Sequence, residues 1–163
     1  MSKILENLWL GNGNDALNQQ FINENNINVV VNCTPNIPFY NDITFKYRIP
    51  VNDDLQDDSF TKMFVAMDHL IPFLVKHINR GDRILIHCYA GMQRSAIVTM
   101  GLLSALSFNK TFNNSTITQK SLENYINNIK KYMSDCRPIV FTPGMNFKKS
   151  YLMWLQRNYI DTK

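Results

Sequence analysis

Apolar and polar residues follow two periods along this chain, and each period marks a different kind of element. Leu8-Trp9-Leu10-Gly11 is a brief apolar run that predicts a short edge strand. Residues 14–25 predict a helix, and Ile27-Asn28-Val29-Val30-Val31-Asn32-Cys33 a β-branched strand behind it. Thr44-Phe45-Lys46-Tyr47-Arg48-Ile49-Pro50 alternates with period two, as a half-buried strand does. Phe60, Met63, Phe64, Met67, Leu70, Ile71, Leu74, Val75 and Ile78 then recur at helical spacing, with Pro72 expected to kink that helix or start a new segment. Gly81-Asp82 turns the chain into Arg83-Ile84-Leu85-Ile86, a run of buried-strand type.

Three more helices follow. Residues 95–107 are apolar nearly all round, which predicts a buried central helix. Thr116-Ile117-Thr118-Gln119 has capping-box form and opens a helix with Leu122, Tyr125, Ile126, Ile129 and Met133 on one face. Residues 143–159 make the last. Four to five short strands, most of them followed by helices, predict an α/β fold: a central, mostly parallel sheet flanked by helices. With no repeat, linker or low-complexity tract, the 163 residues read as a single domain over 1–163. Sheets of this kind take ligands beyond the carboxyl ends of their strands.

The segment at that place, between the buried strand and the central helix, reads His87-Cys88-Tyr89-Ala90-Gly91-Met92-Gln93-Arg94-Ser95. A cysteine, five residues and an arginine form the minimum loop that wraps a phosphate. Tyr89, Ala90, Gly91, Met92 and Gln93 can turn backbone N–H groups inward, and Gly91 lets the loop curl without a Cβ clash. Arg94 closes the cradle with a planar fork that matches two phosphate oxygens, at the start of a helix. The same surroundings favour a thiolate on Cys88; such sites bring a cysteine from ~8.5 to roughly 3.5–7.5. A lone cysteine ending an apolar run is more often an inert core residue. The joint spacing of His87, Cys88, Gly91, Arg94 and Ser95 in a strand–loop–helix context separates this one from that class.

A thiolate nucleophile needs an acid on the far side of the phosphate to protonate the leaving oxygen. Ile49-Pro50-Val51-Asn52-Asp53-Asp54-Leu55-Gln56-Asp57-Asp58 offers four carboxylates just after a strand. Asp57 and Asp58 read better as the acidic first turn of the helix that starts near Ser59. Asp53 and Asp54 are left as candidates. The net charge of +4 suits anionic substrates and is too mild to imply nucleic acid. The apolar stretch around 96–106 is interrupted and far short of the ~20 residues of a membrane span. Met1-Ser2-Lys3-Ile4-Leu5-Glu6 lacks the apolar core of a signal peptide. Cys33, Cys88 and Cys136 make an odd set without metal spacing, which predicts a reducing compartment: the cytoplasm, the nucleus or an infected host cell. His69 and His77 lack ligand spacing as well, so no metal is expected.

With these residues in place, the chain resembles the dual-specificity protein phosphatases, the compact branch of the cysteine-dependent tyrosine phosphatase superfamily. The phosphate loop and the acid loop carry the resemblance, with weaker echoes in Leu8-Trp9-Leu10-Gly11-Asn12, Val30-Val31-Asn32, Arg137-Pro138 and Pro143-Gly144-Met145-Asn146-Phe147. The family's acid loop reads Ile-Pro, two residues, then the catalytic Asp, which assigns the acid to Asp53 and not Asp54. The resemblance implies hydrolysis of phosphotyrosine and phosphoserine or phosphothreonine on proteins through a cysteinyl-phosphate on Cys88. Arg94 and the loop amides would hold the phosphate, Ser95 would ease release of the sulfur, and His87 would fix the loop from behind and help set the thiolate. No cofactor is implied. Tyr89, Ala90, Met92 and Gln93 carry no charge, which argues against an inositide substrate, and the presence of Asp53 argues against an RNA 5′-phosphatase. The short stretch before Asp53 implies a shallow cleft, with Tyr40 a candidate wall. Phosphorylated proteins are the expected partners, with no nucleic acid, no membrane and a monomeric state. Oxidation favours exposed thiolates of low pKa, which leaves a redox pairing of Cys88 with Cys33 as a minor alternative. Two departures stand out: Ala96 where the family often has Pro, and Gly144 for the usual Asn.

Overall fold

The computed structural model describes residues 1–40, 42–111 and 118–160. Its sheet has five strands, β1 (Ser2–Leu5), β2 (Leu8–Gly11), β3 (Val29–Asn32), β4 (Phe45–Arg48) and β5 (Ile84–His87), in the spatial order β1-β2-β5-β3-β4. β2, β5, β3 and β4 run parallel, and β1 lies antiparallel on β2. The segment 8–11 is therefore an internal strand and not an edge. Its four residues are all buried because Ser2-Lys3-Ile4-Leu5, too short and mixed to show a period, pairs outside it. β4 is the other edge and alternates between half-buried and exposed residues as its pattern predicts.

Both sheet faces are covered, which is why the inner strands read as unbroken apolar runs. Leu8, Leu10, Val29, Val31, Ile84 and Ile86 join one core with the large helices, while Trp9, Val30 and Leu85 join a second with Ala16 and Ile22. The second face carries α1 (Gly13–Ala16) and α2 (Gln19–Glu24). One helix over 14–25 is expected, but asparagines split it: Asn12 caps α1 in a capping box with Asp15, and Asn18 caps α2 by accepting from the Phe21 amide.

On the first face, α3 (Asp57–Arg80) has Asp57 and Asp58 in its first turn, as expected, and ends at Gly81 with a φ of 87°. It runs unbroken through Pro72. Pro72 is exposed, among the solvent-facing residues of the helix. α4 (Arg94–Thr111) is the central helix, with every residue from 95 to 105 buried. α5 (Gln119–Cys136) is capped by Thr118, whose hydroxyl accepts from the Ser121 amide; Thr116 and Ile117 of the expected box lie outside the described residues. α6 (Lys148–Leu155) is shorter than the expected 143–159: residues 143–147 form a loop, and Gln156–Ile160 a π-helical turn. Among the described residues no helix is long and apolar enough to cross a membrane.

Candidate active site

The carboxyl end of β5 releases the chain at His87, and α4 begins at Arg94; the residues between form a loop whose carbonyls all face outward. Tyr89 O accepts from the Gly13 amide at 3.1 Å, and Met92 O from the Phe141 amide at 2.9 Å. Arg137 donates Nη2 to Ala90 O at 3.3 Å and Nε to Gly91 O at 2.9 Å. Gln93 O accepts from Ile97 as the helix starts. In a trans peptide the next residue's N–H points opposite to the carbonyl. Each outward carbonyl therefore turns one amide, from Ala90 to Arg94, toward the concave side. Gly91 holds a φ of 69°, and a Cβ there would lie 2.6 Å from both the Gly11 carbonyl oxygen and Arg137 Nη2. No other residue fits this turn.

Cys88 stands at the base of that concavity, 2% exposed, with Sγ 3.1 Å from Ser95 Oγ. Burial opposes its ionisation and is the largest single influence. The Ser95 hydroxyl and amide, the Arg94 guanidinium and the Gly91 amide together outweigh it and hold the thiol below its ordinary range. Cys33 shows the opposite balance: full burial and the nearby Cys88 push its thiol well above the usual value, so it stays protonated. His87 is buried too, and burial lowers it to about 4. It is neutral at physiological pH, so it supports the thiolate as a packed ring beside the loop and not as a neighbouring cation. Its Nδ1 lies 3.4 Å from Cys88 O.

Arg94 is 9% exposed and donates Nη1 to Val51 O at 2.9 Å, which ties the phosphate loop to the acid loop. Its Nε has no partner. A cleft of about 370 Å³ opens here, walled by Thr34, Pro35, Asn36, Ile37, Asp53, Asp54, Tyr89 and Arg94. Asp53 Oδ1 accepts from Asn146 Nδ2 at 3.0 Å. Asp54 accepts from the Gln56 amide at 3.1 Å, and the Ser59 hydroxyl together with that amide keeps its carboxyl below the usual range. Both carboxylates line the same cleft, each accepting one of these bonds. Tyr40 is not part of the cleft: it packs against the Trp9 and Val30 side of the sheet, and Tyr89, 76% exposed, stands at the rim instead. Among the described residues no three His, Cys, Asp or Glu side chains converge as a metal site.

Residues 8–109 match the family described as dual specificity phosphatase, catalytic domain. The chain belongs to that family. It is 26% identical to human dual specificity protein phosphatase 16 over 148 residues, covering 90% of this chain and 19% of the relative. It is 34% identical to human dual specificity protein phosphatase 6 over 104 residues, 62% of this chain and 26% of the relative. MAP kinase phosphatase with leucine-rich repeats protein 2 of Dictyostelium discoideum is 30% identical over 141 residues, covering 81% of this chain and 19% of that protein. The chain thus spans about a fifth of the length of the curated relatives it first matches. Its fold is shared by the crystal structure of human DUSP28, with a TM-score of 0.77 at 15% identity over 99% of this chain and 100% of that one. It is shared too by OH1 from the Orf virus, with a TM-score of 0.70 at 20% identity over 99% and 87%.

Within this dual-specificity phosphatase domain, three supporting groups escape a reading of the motifs alone. Arg137 braces two loop carbonyls and also reaches Ser2 Oγ at 3.1 Å. Arg48 braces the cleft wall, donating Nη1 to Thr34 O and Nη2 to Ile37 O, each at 2.8 Å. Asn32 holds the same wall from inside, with Nδ2 on Ile37 O at 2.7 Å and Oδ1 accepting from Thr34 Oγ1 at 2.6 Å. The available signal is a buried-strand run ending in a polar residue, and a lone basic residue in the apolar stretch after α5. Neither carries a partner on its own.

Proposed function

We propose that this protein hydrolyses phosphate monoesters on phosphotyrosine and phosphoserine or phosphothreonine residues of proteins, through a cysteinyl-phosphate. The observation that carries the reading is Cys88 Sγ, 3.1 Å from Ser95 Oγ at the base of a loop whose outward carbonyls turn its amides inward. The Cys88 thiolate attacks phosphorus in line with the leaving oxygen; the S–P bond forms as the P–O bond breaks, and the Asp53 carboxyl gives its proton to the departing oxygen. Arg94 and the amides of residues 90–94 hold the equatorial oxygens as charge shifts. The Asp53 carboxylate then takes a proton from a water whose oxygen attacks phosphorus. The S–P bond breaks, its electron pair returns to Cys88, and the Ser95 hydroxyl donates to the sulfur as it leaves. Access for phosphoserine as well as phosphotyrosine is supported by the open cleft, and protein substrates by the uncharged side chains of Tyr89, Ala90, Met92 and Gln93, which offer nothing to further phosphates.

A substrate panel tests this: p-nitrophenyl phosphate, phosphotyrosine and phosphothreonine peptides, an inositide and a 5′-triphosphate RNA. Turnover of the aryl phosphate and both peptides, with inhibition by vanadate, is the expected result. Hydrolysis confined to the inositide or the RNA refutes the protein-phosphatase reading.

A further inference from the structure

The Gln93 side chain does not face the phosphate. It is buried and turned behind the loop, where all its bonds go to one segment. Nε2 donates to Thr142 O at 3.2 Å and to Gly144 O at 2.9 Å, and Oε1 accepts from the Asn146 amide at 3.1 Å. Asn146 then donates Nδ2 to Asp53 Oδ1 at 3.0 Å. Phe147, the next residue, is buried edge-on against Phe60 with ring centroids 5.6 Å apart, and Ser150 Oγ donates to Phe60 O at 2.7 Å. We propose that Gln93 and Asn146 are positioning residues for proton delivery: together they fix the Asp53 carboxyl over the phosphate loop before any substrate binds. The proposal rests on the phosphatase reading above and adds a role to it.

The argument is one of lost freedom. A single exposed Asn–Asp bond is worth little, because both side chains give up rotamers to make it. Here the Asn146 backbone is already held by the Gln93 amide on one side and the buried Phe147 on the other. The backbone that carries the donor is thus set in place, and only the Asn146 and Asp53 side chains have freedom left to lose. Arg94 Nη1 on Val51 O restrains the same acid loop from its other end. An acid placed in this way delivers its proton without a reorganisation step. A misplacement near 1 Å costs on the order of a hundredfold in rate.

The test compares kcat/KM, which reports the steps up to leaving-group departure, for aryl phosphates with good and poor leaving groups, 2,4-dinitrophenyl phosphate and phenyl phosphate, in the wild type, Gln93→Ala, Asn146→Ala and Asp53→Asn. Loss of positioning lowers the phenyl phosphate rate roughly tenfold to a hundredfold and the dinitrophenyl rate less than about threefold. Either change made on top of Asp53→Asn adds nothing for the poor leaving group. Asn146→Asp, of the same shape, guards against a variant that fails to fold. Its carboxylate faces Asp53, favours the protonated acid, and so moves the alkaline limb of the phenyl phosphate profile to higher pH. Equal losses for both leaving groups, or an unmoved alkaline limb, overturn the positioning role. A wild type that hydrolyses neither ester overturns the phosphatase reading itself.

Discussion

Beneath the amino ends of β3 and β5, His77 sets Nδ1 2.6 Å from an Asp82 carboxylate oxygen and Nε2 2.8 Å from the Tyr47 hydroxyl. Asp82 also accepts from Asn28 Nδ2 at 2.9 Å, and Asn28 in turn accepts from the Arg83 amide at 2.8 Å. At the carboxyl ends of the same strands, His87 Nε2 and Arg94 Nε are, among the described residues, the buried side-chain nitrogens and oxygens without a partner. A buried unsatisfied group costs about 1–3 kcal/mol. One end of the sheet satisfies its own polar groups and gains stability; the other keeps the Arg94 Nε donor open, which an anion in the loop can engage. The two ends should therefore answer mutation differently, in activity at one and in stability at the other.

The largest effect belongs to Cys88→Ser. Turnover should fall by roughly 10⁴-fold or more while the melting temperature holds or rises. Residual activity near the wild-type level would remove Cys88 as nucleophile. Gly91→Ala comes next, because the added Cβ meets the Gly11 carbonyl and the φ is unfavourable for a side chain. A loss of activity above about a hundredfold, with a stability cost of about 1–3 kcal/mol, is the expected outcome in kinetics and denaturant titration. Asp53→Asn should slow phenyl phosphate hydrolysis by about 10²–10⁴-fold. Asp54→Asn should leave the rate near wild type, and equal losses at the two positions would refute the assignment of the acid.

The smallest effect lies at the other end and changes no rate. Burial alone raises the Asp82 carboxyl, but His77, Asn28 and Arg80 outweigh it and hold it at about 2. A folded value below the unfolded one means that Asp82 stabilises the protein above the unfolded pKa of about 3.9 and loses that contribution as pH falls toward 2. Asp82→Asn should cost about 2 kcal/mol at pH 7 with activity unchanged, and the gap to the wild type should close between about pH 4 and pH 2. A constant gap across that range would assign the network's contribution to packing.

The same contrast explains what was legible beforehand. The phosphate loop, the central helix and the inner strands are local in sequence: a period, a cap or a spacing announces each. The acid pair also lies in one short segment, and the choice of Asp53 over Asp54 rests on the family pattern. What stayed hidden is the contact between distant segments. Arg137 meets Gly91 from 46 positions away, and Gln93 meets Asn146 from 53. β1 is too short to show a period, the asparagines hide a break inside one expected helix, and Pro72 lies inside an unbroken α3. Tyr40, a candidate wall on the residues alone, packs on the Trp9 and Val30 side of the sheet.

The central claim is that the groups around the phosphate loop hold the buried Cys88 thiol below its ordinary range, and thiol titration tests it most directly. The rate of Cys88 alkylation by iodoacetamide, followed against pH in the wild type and in Ser95→Ala, reports the thiolate at this site. The account predicts a midpoint below the ordinary thiol range of about 8.5, moving upward when the Ser95 hydroxyl is removed. A wild-type midpoint at or above that range would contradict it.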